Sequence, residues 1–460
     1  MRSLSHMLIF AASGILLASC TTGLSPQRTT FTEEMAVKQT PAEWKQGVSP
    51  QAQNLSSLLA LSSDKKLNTH VDAVLANNIS LRQSVLDLQK AELEREKTSD
   101  SLWPTLTFNS SADRQRSKSA QGTSYASSVG GDLTVNWEAD LWGKLSDRAR
   151  ASGRIQTASE HDLQAARASL AAQAMRNWVQ LTALEKLADL DRSRISSLGN
   201  TEEIISDQFT RGIGELSDLE AARSATANAQ SDLADRKLQI DQLKRQMQVA
   251  ASQMPNTHFR TGSLLPNVKL PKGAMPATTL GRRPDLLAAY ERAAAADLQH
   301  KAAYKDLLPS FSVNFSASDQ SASLADLLNG GPAWRLLGSM SAPILDGGNR
   351  RLTAKQADLD AARLWLSYRQ TLLTAVLEVE NGLQNEQTLR SRETFLTRAL
   401  SHSQSNYEQY ERRYRDGLTD IVTLLSAERD AFAARQAVVN IRSSRMQNRV
   451  DLAVAFGIGL

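Results

Sequence analysis

Hydrophobic and polar residues alternate with a period of two in two pairs of segments. From Val129 to Glu138 the odd-numbered positions are apolar or glycine and the even-numbered ones are mostly polar, and residues 105–113 alternate similarly. A second pair lies at about 310–318 and 334–345, although the last segment alternates less cleanly. This pattern predicts β-strands with one apolar face. Strands of roughly ten residues fit a membrane barrel with lipid on one side and water on the other, and hairpins of a soluble sandwich are the alternative.

Four strands cannot close a membrane barrel by themselves. Known barrels begin at about eight strands, and open sheet edges are not tolerated in lipid. We therefore expect the barrel to be shared, with three chains contributing four strands each to a total of twelve.

Apolar residues follow a helical period over two unusually long stretches. Between Gly143 and about residue 211, and between Gly348 and about residue 416, they recur at spacings of three and four, and no proline interrupts them. At about 1.5 Å per residue, each helix would reach roughly 100 Å, which no compact domain needs. The alternative is a solid coiled coil, as in a periplasmic structural lipoprotein without channel activity.

The whole pattern occurs twice in the chain. Each copy reads helix, two strands, long helix, tip, helix, with repeats at residues 67–254 and 279–460 and a proline-containing linker at 255–278. Landmark residues recur at a displacement of 205, namely Leu81 and Leu286, Pro104 and Pro309, Gly143 and Gly348, Gly212 and Gly417, and Leu219 and Leu424.

The first residues have the layout of a lipoprotein signal. A charged start and a short apolar run end in Leu17-Ala18-Ser19-Cys20, so residues 1–19 are predicted to be a signal peptide. Cys20 is the only cysteine, which excludes a disulfide framework and favours lipidation. We expect residues 20–66 to form a lipid-anchored extension, and Thr21 in place of aspartate favours the outer membrane.

Composition and motifs argue against catalysis. The six histidines form no H-x-x-x-H pair, and no phosphate-binding loop surrounds the paired glycines. A net charge of +4 is too small a bias to indicate nucleic acid. We expect no enzyme activity, no cofactor and no bound metal.

Four segments together carry a family resemblance. They are Trp137-Glu138-Ala139-Asp140-Leu141-Trp142-Gly143-Lys144, Arg282-Arg283-Pro284-Asp285-Leu286, Leu308-Pro309-Ser310 and Pro343-Ile344-Leu345-Asp346-Gly347-Gly348. From about residue 67 onward the chain resembles TolC-type outer membrane efflux proteins, in particular the lipidated OprM/NodT-like branch. The resemblance implies a mainly α homotrimer whose β-barrel continues into a long α-helical barrel. It also implies a periplasmic adaptor and an inner-membrane pump as partners.

The site residues are expected at the two tips, near residues 210–216 and 415–421. Gly212, Gly214 and Gly417 break otherwise continuous helices, so we expect the adaptor to dock there. The resemblance places a gate just beyond the second tip, and the candidate gate residues are Asp420, Val422, Thr423, Ser426 and, from the first copy, Asp218. Ser426 stands where relatives often have aspartate, so we expect a less acidic constriction. The nine methionines form no evident ladder, so the sequence does not indicate a copper or silver duct, and drugs, aromatic acids, lipids or peptides are the open alternatives for the transported substrate.

Overall fold

A computed structural model describes residues 41, 43–45, 52–120, 122–255, 265–273, 275–322 and 331–460. The predicted signal peptide and Cys20 lie outside these residues, as do parts of the N-terminal extension and of the linker. Within the described ranges, no helix combines the length and the apolar character needed to cross a bilayer.

The chain is predominantly helical with one small sheet, which confirms the predicted fold class. The helices are α1 Lys65–Asn77, α2 Ile79–Asp100, α3 Lys144–Thr210, α4 Leu216–Ala250, α5 Pro276–Leu280, α6 Pro284–Lys305, α7 Asn349–Arg415 and α8 Ile421–Ala455. The strands are β1 Thr105–Ser119, β2 Gly122–Ala139, β3 Ser310–Ser321 and β4 Ala333–Ser341. Helices α3 and α7 are both 67 residues long, and α4 and α8 are both 35. The limits of α2, α3 and α4 recur in α6, α7 and α8 at the same displacement as the sequence landmarks.

The four strands form one antiparallel sheet in the order β1-β2-β3-β4. The first two strands are longer than predicted, because β1 and β2 stay paired as far as Ser119 and Gly122 although the apolar alternation stops near Val129. Backbone hydrogen bonds continue there without an apolar face. In contrast, β4 ends at Ser341, before the predicted end at residue 345, because Pro343 has no N–H to donate to the sheet.

The described chain separates into two compact units. The first contains residues 87–160 and 288–370 and therefore the whole sheet. In it, the buried Trp365 donates its indole N–H to the carboxylate of Asp297 at 3.1 Å. Lys305 donates to the carboxylate of Asp147 and, at 3.1 Å, to the carbonyl of Gly143. These contacts fix the start of α3 beside α6.

The second unit contains residues 39–86, 161–287 and 371–460. Its core surrounds Trp178 and Met247, which are almost fully buried. Leu58 and Leu61, in a short 3₁₀ turn before α1, are also buried in this core. Residues 52–62 and 265–273 are joined by isolated β-bridges, so these two non-repeated segments lie against each other.

Candidate functional site

The first tip joins α3 to α4 through a glycine in the left-handed region. Gly212 has φ +74°, and its N–H donates to the carbonyl of Phe209 at 2.9 Å. The N–H of Ile213 donates to the carbonyl of Gln208 at 3.0 Å, which completes the paired hydrogen bonds that end many helices. A Cβ on Gly214 would lie 2.9 Å from the backbone nitrogen of Phe209, so this glycine permits a close backbone approach.

The second tip, between α7 and α8, repeats this geometry. Gly417 has φ +72°, and its N–H donates to the carbonyl of Tyr414 at 3.0 Å. The N–H of Leu418 donates to the carbonyl of Arg413 at 2.8 Å. The backbone around Gly212 and Gly417 is therefore arranged alike, and the sequence identified both positions.

Apolar side chains are exposed at both tips. Ile213 is 75% exposed and Leu418 is 65% exposed, and each directly follows its helix-ending glycine. A Cβ on Gly212 or Gly417 would meet no atom of the described residues within 4 Å, so the surface beside the apolar residues is open in that part of the chain. The sequence analysis did not identify Ile213 and Leu418. An apolar residue next to a helix-ending glycine normally packs back on its own helix, so the exposure of these two side chains is unusual.

The gate candidates lie in the first turns of α8. Asp420 is the N-cap residue, and its carboxylate accepts hydrogen bonds from the Thr423 backbone N–H at 2.7 Å and hydroxyl at 3.0 Å. These bonds, the backbone one first, lower the pKa of Asp420 below its usual range. Val422 is exposed, whereas Ser426 is half-buried and accepts a long hydrogen bond from Arg429 at 3.4 Å.

Asp218, the fifth gate candidate, is half-buried in the first turn of α4. Two causes raise the pKa of Tyr414 on α7: the larger is burial, and the second is the negative charge of the Asp218 carboxylate. Near the tips, one apolar cluster joins the helical hairpin α3–α4 to the helical hairpin α7–α8. Its buried members are Ile205, Leu219, Ala222, Ile421 and Leu424, flanked by Tyr407, Tyr410, Tyr414 and Leu425.

A polar network joins α3 to α8 further from the tips. Arg194 binds the carboxylate of Glu428 at 3.2 Å, and its guanidinium lies 4.5 Å from the centre of the Phe432 ring. Asp191, which is buried, accepts a hydrogen bond from Arg236 of α4 at 3.1 Å. Sequence reasoning missed this network. The available signal was Asp191 itself, because it continues the apolar stripe of α3 four residues after Leu187.

Residues of the segments that carry the family resemblance make hydrogen bonds that connect neighbouring elements of the fold. Asp140 accepts hydrogen bonds from the backbone of Leu145 and Ser146 at 3.0 and 2.8 Å and thereby caps α3. Trp142 donates its indole N–H to the carbonyl of Pro309 at 2.7 Å. These roles are architectural.

In the second unit, Arg283 likewise connects neighbouring elements. Its buried guanidinium binds Asp285 at 2.6 Å and Glu378 of α7 at 2.7 Å. Burial alone would lower the pKa of Arg283, but the bonds to the two carboxylates outweigh it and raise the pKa. In the part of the chain that the structure covers, no group of three or more His, Cys, Asp or Glu side chains is placed to hold a metal ion.

Comparison with known proteins decides the family. The sequence profile of the family "Outer membrane efflux protein" matches residues 71–251 and 275–458, which include both tips and the whole sheet. The chain belongs to this family. This chain is 27% identical to the outer membrane protein OprJ of Pseudomonas aeruginosa over 409 residues, which cover 86% of this chain and 85% of OprJ. It is 24% identical to the cation efflux system protein CusC of Escherichia coli over 401 residues, covering 86% and 87%.

The fold agrees with solved outer-membrane channels. The structure of the outer-membrane channel OprN superposes with a TM-score of 0.83 at 23% identity, covering 95% of this chain and 98% of that one. This efflux protein is therefore an outer-membrane channel component of a tripartite efflux system, as predicted, rather than a structural coiled-coil lipoprotein. The family consists of efflux channels, not of enzymes.

Proposed function

We propose that three copies of this chain form a passive duct from the periplasm to the exterior. The sheet supports this proposal, because β1 and β4 each pair with one strand only among the described residues and leave two open edges. An open edge in lipid leaves backbone groups without hydrogen bonds, which costs several kcal/mol per group. Pairing β4 of one copy with β1 of the next removes every edge and yields twelve strands.

We further propose that a periplasmic adaptor docks on the tips and that an inner-membrane pump supplies the energy. The observation that carries the docking proposal is the shared geometry of the tips, each with a helix-ending glycine followed by an exposed apolar side chain. Three copies would present six such tips in a ring, so a symmetric partner could meet equivalent contacts. The apolar residues Ile213 and Leu418 would provide the buried centre of the contact.

Site-specific photo-crosslinking tests this docking. A photoreactive residue at position 213 or 418, introduced in the native host, should crosslink to a periplasmic adaptor, identified by mass spectrometry. Met254 is the matched control, because it is 81% exposed and apolar but lies beyond the end of α4. Equal crosslinking of the adaptor at Met254, or none at the two tips, would refute tip docking.

The gate is proposed at the same end of the duct. Val422 would provide an apolar constriction, Thr423 and Ser426 an uncharged polar lining, and Asp420 with Asp218 the remaining acidic groups. The exposure of Val422 and the position of Asp420 at the start of α8, next to the second tip, support this assignment. Lipidation of Cys20, which would anchor the chain to outer-membrane lipid, is proposed from the sequence alone.

A further inference from the structure

Among the described strands, β1 and β2 extend well beyond β3 and β4 at one end of the sheet. β3 ends at Ser321, which pairs with Val129, whereas β1 and β2 continue to the pair Ser119 and Gly122. The extension points away from the helices, because α2 precedes β1 and α3 follows β2 at the opposite end of the hairpin. In the proposed duct this end of the sheet faces the cell exterior.

Three basic residues occupy alternate positions of β1 in this extension. Arg114, Arg116 and Lys118 lie on one face because successive strand residues point to opposite faces. This is also the face of Leu106 and Phe108, which occupy even-numbered positions earlier in the strand. The cations therefore lie on the apolar face of the sheet, the one expected to contact lipid, directly beyond its apolar part.

The opposite face of the extension has a different character. On β1 it carries Asp113, Gln115 and Ser117 and no basic residue. Among the described residues of the four strands, Asp319 is the only acid on the apolar face. It lies opposite Gly131, about 13 Å along the strand from the partner of Arg114, so it does not neutralise the basic row.

An aromatic ring is packed within the basic row. Tyr125 pairs with Arg116 across the hairpin, and the guanidinium carbons of Arg116 and Arg114 lie 5.8 and 6.0 Å from the ring centre. The tyrosine is 63% exposed on the same face. A guanidinium over an aromatic ring keeps its in-plane N–H groups available for an acceptor such as phosphate.

The apolar part of this face matches the height of a membrane barrel. On β2 it runs from Val129 to Ala139, which is ten residues or about 34 Å along the strand at about 3.4 Å per residue. With the usual strand tilt of about 40°, this is about 26 Å along the membrane normal, close to the apolar band of about 25 Å in membrane barrels. Asp319, opposite Gly131, then lies near the outer edge of the band, where a charge costs little. Tyr125 and the basic row lie just beyond this edge, at the level of the outer headgroups, where aromatic residues are favoured.

We infer that Arg114, Arg116 and Lys118 form a binding site for the phosphate groups of the anionic glycolipid in the outer leaflet of the outer membrane. The inference rests on the proposed insertion of the sheet in that membrane. Arginine binds phosphate through two parallel N–H donors, and the adjoining apolar face contacts the acyl chains of the same lipid. Both halves of an amphiphilic ligand are thus matched on one continuous surface.

Lipid binding to the purified trimer tests the site. Native mass spectrometry would measure the affinity for phosphorylated lipid A, for lipid A whose phosphates have been removed, and for lipid A with inorganic phosphate as competitor. The variant R114Q/R116Q/K118Q removes the charges, and R114K/R116K retains them. Asp113→Asn is the matched control, because it changes one charge on the opposite face of the same strand.

Each cation near a membrane surface contributes about fivefold in affinity, so the neutral variant should bind phosphorylated lipid A at least tenfold more weakly than the wild type. The charge-retaining variant should bind more tightly than the neutral variant but more weakly than the wild type, because lysine keeps the charge and lacks the two parallel N–H donors. Asp113→Asn should stay within about threefold of the wild type, and dephosphorylated lipid A should bind weakly to every form. Unchanged binding by the neutral variant, equally tight binding of dephosphorylated lipid, or complete displacement by equimolar inorganic phosphate would overturn the inference. Conductance of the wild-type trimer in a bilayer without glycolipid tests the duct separately.

Discussion

Acidification should weaken the second compact unit through one buried histidine. His70 of α1 packs on Trp178 of α3 with ring centres 5.6 Å apart and is only 8% exposed. Burial lowers the pKa of His70 from its ordinary value of 6.5 to about 4. Between these two pH values the unfolded chain binds a proton that the folded chain does not bind, so the free energy of unfolding falls as the pH falls.

The two pKa values set the size of this effect. Their difference corresponds to about 3 kcal/mol per chain, lost progressively between pH 6.5 and 4 and fully retained above pH 6.5. Carboxylates protonate in part of the same range, so the relevant quantity is the difference between wild type and His70→Phe. That variant keeps an aromatic ring on Trp178 and cannot take up a proton.

Denaturant unfolding followed by circular dichroism, at pH 7.5 and at intervals down to 4.5, measures this difference. The wild type should lose about 2 to 3 kcal/mol more than His70→Phe. His402→Phe is the matched control, because it makes the same substitution at an exposed position of α7. If His70→Phe and wild type lose stability in parallel, His70 is not neutral in the folded protein and the reasoning is refuted.

Three further predictions concern the tips and the anchor. Gly417→Val places a branched side chain at φ +72°, which costs about 1–2 kcal/mol, but the side chain meets no atom of the described residues. The variant should still form trimers but should no longer co-purify with the adaptor, and retained co-purification would count against docking. Ser426→Asp should introduce divalent-cation block in single-channel recordings, and Asp420→Ala should reduce the preference of the channel for cations. If Ser426→Asp introduces no block and Asp420→Ala leaves the cation preference unchanged, the gate lies elsewhere. Cys20→Ser should leave the precursor uncleaved, whereas a wild-type protein that is cleaved but unmodified by mass spectrometry would contradict lipidation.

The repeated architecture was largely predictable because local signals specify it. Gly212 and Gly417 end helices through backbone conformations that glycine adopts readily, and the limits of the long helices follow the same 205-residue displacement as the sequence landmarks. The extension of β1 and β2 could not be predicted from alternation. Its strands pair through backbone hydrogen bonds, and the basic side chains of Arg114 and Arg116 replace the apolar ones on the same face.

The site was predicted only in part. Glycines mark the turns, but Ile213 and Leu418 are exposed because no other element of the described residues covers them, and no local pattern reports this. The network of Asp191, Arg194 and Glu428 depends on the packing of α3 against α4 and against α8, which is more than 200 residues away in sequence. Contacts between copies depend on other chains, so the gate geometry stays a prediction.

Planar-bilayer recording of the purified protein tests directly whether three copies form a duct. The protein should run in detergent as a heat-modifiable trimer, and this trimer should conduct ions across the bilayer. A replacement of Leu337 by proline within β4 should abolish both, because it removes the N–H of the strand in the middle of its pairing with β3. A wild-type protein that stays a water-soluble monomer once its lipid anchor is removed, and that conducts nothing, would contradict the account.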